Sequence, residues 1–212
     1  MKINIFIIIF ILPLLALAQL KETEETFLVD DWSDGLHIFV GAGINHSKYR
    51  SDTQNNNLGL GVNLKTDVGW YFNDKWAIES SASVKFNTYH DDLIWDTLLT
   101  LGARYRIEDY YFRGFAGAGV LVVVLNEDEP TPNDNTKRIH MDGPALGLGF
   151  GRIKLTEAGK VWFIELNATA QEIRHRDDVA VDGQYPIAIS SQAVNDNSTI
   201  YSAQFTIGVL LF

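Results

Sequence analysis

Residues 201–212 read YSAQFTIGVLLF. Tyr201, Ala203, Phe205, Ile207, Val209 and Leu211 are apolar at every second position, and Ser202, Gln204, Thr206 and Gly208 stand between them. Period-two alternation is the signature of a β-strand with one apolar and one polar face. A strand of this kind needs a partner along each edge and a solvent for each face.

The same alternation recurs upstream. In GLHIFVGAGIN, Leu36, Ile38, Val40, Ala42 and Ile44 share one face. In LGLGVNLKTDVGWYF, Leu58, Leu60, Val62, Leu64, Thr66, Val68, Trp70 and Phe72 alternate with Gly59, Gly61, Asn63, Lys65, Asp67, Gly69 and Tyr71. Asn73-Asp74-Lys75 then supplies a tight turn. A third strand sets Trp76, Ile78, Ala82, Val84 and Phe86 against Glu79, Ser81, Ser83, Lys85 and Asn87. A fourth sets Leu93, Trp95, Leu99, Leu101, Ala103 and Tyr105 against Asp96, Thr100, Gly102, Arg104 and Arg106. The fifth sets Phe112, Ala116, Ala118, Val120, Val122 and Val124 against Arg113, Phe115, Gly117 and Gly119, with an upper half apolar on both sides. The sixth carries Leu146, Leu148 and Phe150 against three glycines, and the seventh carries Trp162, Ile164, Leu166, Ala168 and Ala170 against Phe163, Glu165, Asn167, Thr169 and Gln171.

These are eight strands. Short connections fall near 73–75, 107–110 and 156–160, and longer ones near 46–57, 89–92, 126–142 and 172–197. An even-stranded meander with short turns at one end and long loops at the other is the plan of a transmembrane β-barrel. The expected fold is all-β, an eight-stranded antiparallel up-and-down transmembrane β-barrel over residues 35–212. Its last strand is expected to pair with its first, because a closed barrel leaves no edge in lipid.

The N-terminal stretch MKINIFIIIFILPLLALAQ has Lys2, an apolar run from Ile3 to Leu17, and small residues before Gln19. It reads as a cleaved secretory signal peptide over residues 1–18, followed by a short periplasmic segment over 19–34. The 212-residue chain has no cysteine, so disulfides and thiolate metal sites are excluded. The formal charge of −10 argues against nucleic acid as a partner.

A soluble sandwich would alternate equally well, so the placement of charges and large aromatics decides. Lys65, Asp67, Glu79, Lys85, Asp96, Arg104, Arg106, Arg113 and Glu165 all take the less apolar parity of their strands, with the two signs nearly balanced. They are expected to form an interior charge network in a narrow, side-chain-filled lumen. The aromatics cluster at strand ends on the apolar parity. Trp70, Phe72, Trp76, Tyr105, Phe112, Phe150 and Trp162 mark the short-turn end, and Phe86, Trp95 and Tyr201 the long-loop end. Two aromatic girdles separated by aliphatic residues match two membrane interfaces. A sandwich core would hold its large aromatics mid-strand.

The stretches GLHIFVGAGIN, GWYFNDKWAIE and FRGFAGAGV, with Phe212 at the C-terminus, resemble the eight-stranded outer-membrane β-barrel proteins of double-membraned bacteria, the OmpA/OmpX/OmpW-like superfamily. The resemblance implies outer-membrane lipid and lipopolysaccharide as surroundings. It also implies the barrel-assembly machinery as a partner, with Phe212 as its assembly signal. Phe212 departs from the family in lying off the parity of Phe205 to Leu211.

No residue pattern announces chemistry. His37, His46, His90, His140 and His175 show no metal-ligand spacing, and the His-x-Ser pair of barrel lipid A deacylases is missing. Glu127, Asp128 and Glu129, and Asp177, Asp178 and Asp182, are acidic clusters without calcium-loop order. No cofactor is expected. The sequence points to a non-enzymatic envelope protein serving structure, surface interaction through loops, or limited solute passage. The alternative is a barrel enzyme acting on lipid.

Overall fold

A computed structural model describes residues 35–50, 55–89, 92–124, 138–156, 160–175 and 198–211. The strands are β1 (Gly35–Arg50), β2 (Asn55–Tyr71), β3 (Trp76–Tyr89), β4 (Asp92–Ile107), β5 (Tyr110–Val124), β6 (Arg138–Leu155), β7 (Val161–His175) and β8 (Ser198–Leu210). Each pairs antiparallel with its neighbour in sequence, and β8 pairs with β1 to close the barrel. The strand that alternates from Tyr201 to Val209 is therefore a seam, with Gly208 opposite Gly41 and Leu210 opposite Phe39. The segments assigned to a signal peptide and a periplasmic leader, and Phe212 itself, lie outside the described residues.

The ladder is staggered. Moving from partner to partner, Gly35 leads to Tyr71, Ala77, Arg104, Arg113, Gly149, Asn167 and Gln204, and returns to β1 at Asn45, ten residues above the start. Ten residues of stagger over eight strands, at about 3.3 Å per residue and 4.8 Å between strands, tilt the strands by roughly 40°. So narrow a barrel has room inside for side chains and little else.

The short connections are held by local bonds. Asn73 Oδ1 accepts from the backbone N–H of Lys75 and Trp76, each at 2.9 Å. Glu108 begins the two-residue β4–β5 turn at φ 53°. Thr156 N donates to Lys160 O at 2.8 Å across the β6–β7 turn.

Parity follows the sequence along most of the length. Leu60, Leu99, Leu101, Leu146, Leu148 and Leu166 are exposed on the outer face, while Asn63, Lys65, Asp67, Glu79 and Lys85 are buried inside. Leu58 departs from the expected set. The β1–β2 register shifts between His46 and Lys48, where Leu58 and Gly59 stand against the single residue Ser47. Gly59 has φ 77°, a conformation that costs a residue with a Cβ, and this bulge turns Leu58 into the barrel. Val84 has outward parity but is only 2% exposed.

Four strands are longer than the expected loops allowed: β1 runs to Arg50 and β2 begins at Asn55, inside the connection expected over 46–57. β6 begins at Arg138 and β7 continues to His175, although both segments read as polar connection. The reason is an inversion of polarity along the barrel. Near the long-connection end the outward residues turn polar, with Lys48, Arg50, Asn57 and Thr88 exposed. There the inward residues turn apolar: Leu58, Ile94, Leu121, Val123, Met141 and Ile200 are all buried. The upper end thus obeys the rule of a soluble barrel and the lower part the rule of a membrane barrel. The double apolar face of upper β5 lies at this crossover.

Candidate functional site

Among the described residues, the lumen is the densest concentration of polar chemistry. Six charged side chains from five strands meet in its lower half: Lys65 and Asp67 of β2, Glu79 of β3, Arg104 of β4, Arg113 of β5 and Glu165 of β7. They are three cations and three anions, so the cluster is neutral as a whole. Asp67 Oδ2 lies 2.9 Å from Lys65 Nζ and 3.1 Å from Arg113 Nη1. Ser81 donates to Asp67 Oδ1 at 2.5 Å. Glu79 Oε1 lies 2.6 Å from Arg104 Nε, and His37 Nε2 approaches it at 3.3 Å. Glu165 pairs with Lys65 and accepts from Asn167 Nδ2 and, at 2.8 Å, from the Tyr111 hydroxyl. Each anion therefore faces at least two donors, which offsets the desolvation that burial imposes.

A second pair lies nearer the long-connection end. Lys85 and Asp96 are direct ladder partners, with Nζ 2.5 Å from Oδ2. Lys85 Nζ also donates to Ser202 Oγ at 3.1 Å, and Ser202 bonds Ser47 at 2.9 Å. Arg106 is placed apart from both groups. It sits half-buried beside the β4–β5 turn, where its Nε donates to Glu108 O at 2.7 Å.

Below the charges the lumen is plugged by rings. Phe39 and Phe163 meet edge to face at 5.2 Å, and Tyr111, Ile153 and Val161 pack with them. The Arg104 guanidinium lies 4.5 Å from the Phe39 ring centre and 4.1 Å from that of Tyr111. Cations held between aromatic faces keep part of the stabilisation lost with water. Above the charges stands the inward apolar set of the upper barrel. Between them is a cavity of about 20 Å³ bordered by Lys65, Ser81, Arg113, Asn167, Thr169 and Gln204, enough for about one water.

The outer face carries the aromatics. Trp70, Phe72, Trp76, Phe112, Phe150 and Trp162 are exposed toward the short-turn end, where Trp76 packs on Tyr105 at 4.6 Å and Phe112 on Phe150 at 5.0 Å. Tyr201 is exposed nearer the other end, and Phe86 packs on Trp95 at 5.6 Å. Tyr110 belongs with the lower group, stacked on Phe150 at 5.9 Å. The sequence reading left out Tyr110, although its parity matches Phe112. The expected charge network does not include the inner residues His37, Phe39, Tyr71, Tyr111 and Phe163, although their parity matches that of their charged neighbours. Among the described residues, no cluster of His, Asp or Glu is arranged to hold a metal ion.

No protein-family model and no curated protein matches the chain. Solved structures do. Ail, the attachment invasion locus protein of Yersinia pestis, in complex with the heparin analogue sucrose octasulfate, aligns with a TM-score of 0.54 at 16% identity, over 84% of this chain and 99% of that one. Neisserial surface protein A aligns with a TM-score of 0.47 at 12% identity, over 84% and 98%. OprG of Pseudomonas aeruginosa aligns at 0.41 and 12%, over 84% and 96%. The likeness to Ail is one of fold: this chain is a closed, eight-stranded, antiparallel barrel of the kind that small outer-membrane proteins adopt.

Proposed function

We propose that the chain is an integral outer-membrane protein, delivered by cleavage of residues 1–18, that works as a closed scaffold and acts through its long-connection end. Neither catalysis nor solute passage is part of this reading. The observation that carries it is the filled lumen. An aromatic plug, a neutral charge cluster and an apolar upper layer succeed one another across the bore. Breaking through would require separating several buried ion pairs at once.

The connections at the working end share one sign. Residues 125–137 contain Glu127, Asp128, Glu129 and Asp134 against Lys137, and residues 176–197 contain Asp177, Asp178, Asp182 and Asp196 against Arg176. Ail was solved with a polysulfated ligand. Acidic connections repel such a polyanion, so the partner of this chain is a cationic surface, recognised by charge.

The experiment is reconstitution of the refolded barrel in liposomes. Ion conductance and swelling in small sugars should match empty liposomes. Unitary conductance steps, or permeation of a small sugar, would overturn the closed-scaffold reading.

A further inference from the structure

The outer wall is not uniformly convex. Where β7, β8 and β1 adjoin, the ladder row His46–Ala203–Ala168–Leu148 crosses three seams. Its two central residues are alanines. The row below holds Ile44, Phe205, Leu166 and Phe150, all large. Small residues between large ones leave a groove of about 550 Å³ on the outer face, with Leu60 at one end, Leu148 at the other and Ala168 and Ala203 as its floor. The surface it offers is almost wholly apolar, although Asn45, His46, Asn167 and Gln204 also border it.

Two cations stand above the β1 end of the groove, while the row that Lys48 enters stays apolar through Tyr201, Ala170 and Leu146 and the next carries Thr199 and Glu172. Lys48 lies opposite Tyr201, and Arg50 lies opposite Thr199. Both cations are exposed, on the outward parity of β1. They sit two and four residues beyond His46, or about 7 and 13 Å along the strand. An apolar trough with two cations above one end has the layout of an amphiphile. The trough fits hydrocarbon, and Lys48 and Arg50 fit a phosphate placed at headgroup height.

We propose that the groove floored by Ala168 and Ala203 seats an acyl chain of a phosphate-bearing outer-leaflet lipid, with Lys48 and Arg50 holding its phosphate. The inference rests on the outer-membrane reading above. It adds a defined site on one side of the barrel where that reading requires only general contact with lipid. Charge favours a phosphate-bearing lipid over a zwitterionic one, which would offer the cations no net charge.

The test uses the refolded full barrel in detergent micelles doped with lipid A, dephosphorylated lipid A or phosphatidylcholine, with retained lipid read by native mass spectrometry. Lipid A should be retained in preference to the other two. Lys48→Gln with Arg50→Gln should lower its retention by about thirtyfold, the combined effect of two interfacial cations. Ala168→Phe, which fills the groove and leaves the cations, should lower it too. Migration of unboiled and boiled samples on a denaturing gel checks that each variant has folded. Equal retention by wild type and both variants overturns the site. Equal retention of the dephosphorylated lipid overturns the phosphate contact. Dimers abolished by Ala168→Phe would assign the groove to a second copy and overturn the lipid. A wild-type barrel that folds without micelles or vesicles would instead overturn the outer-membrane reading itself.

Discussion

Glu79 on β3 and Arg104 on β4 are not ladder partners, yet Arg104 Nε lies 2.6 Å from Glu79 Oε1. Their direct partners are the small residues Gly102 and Ala77. The diagonal ties two strands through a pair of fully buried charges. Glu79→Ala or Arg104→Ala strands the remaining charge and should cost about 3–5 kcal/mol. The double variant Glu79→Gln/Arg104→Met should recover a large part of that loss. Urea unfolding in lipid vesicles measures all three. A single variant as stable as wild type would show that the pair is wet rather than sealed.

The outer face follows a different rule from the inner. Leu64 is 44% exposed on the outer face, and with that face in lipid Leu64→Arg should cost roughly 2–4 kcal/mol in the same assay. One residue away, Asn63 Nδ2 donates to Thr206 Oγ1 at 2.9 Å inside the barrel. Asn63→Ala loses one bond and should cost about 1 kcal/mol. A reversed order of the two effects would invert the assigned faces. Val84, though of outward parity, is too covered to serve as a lipid-facing probe.

The bulge offers a local test. Gly59 holds φ 77°, so Gly59→Ala should cost about 1–2 kcal/mol, because a Cβ is strained in that conformation. Gly59→Asn should cost less, since asparagine tolerates it better. Equal effects would mean that the position is sensitive to bulk and not to backbone angle.

Orientation is tested by labelling intact cells. A tag inserted after Pro130, in a connection rich in proline, asparagine and aspartate, should be reached by antibody. A tag at Asp74, in the tight β2–β3 turn, should not. Labelling at Asp74 alone would put the short turns outside.

The faces were legible because an apolar outer wall around a polar bore holds a period of two along each strand. From Leu99 to Ala103, or from Trp162 to Ala170, each outward residue must suit hydrocarbon, and a period of two survives. Closure was legible for the same reason. Register was not. Nothing in the sequence shows that Arg113 of β5 reaches Asp67 of β2 across the lumen at 3.1 Å, because strand pairing leaves no mark on either residue alone. The bulge was hidden as well, since Leu58 continues the alternation of Leu60 and Val62 and only the φ of Gly59 breaks it. The ends of β6 and β7 read as loop because outward polarity is a sign of water. The structure shows paired strand there, lined inside by Met141 and Ile173.

The stagger has a consequence for how the chain can change. The walk from Gly35 returns to β1 at Asn45, an even number of residues away, so inside meets inside when the circle closes. Closure acts as a test of oddness applied to the whole circumference. Deleting one residue within the apolar span, at Ala168 for instance, makes the count odd, and no rearrangement elsewhere in the span restores it without turning one strand's oily side inward. An odd residue is harmless only where the wall has left the bilayer, and the bulge opposite Ser47 lies toward that rim. Insertions and deletions accepted by descendants of this chain should therefore come in pairs inside the membrane and singly above it.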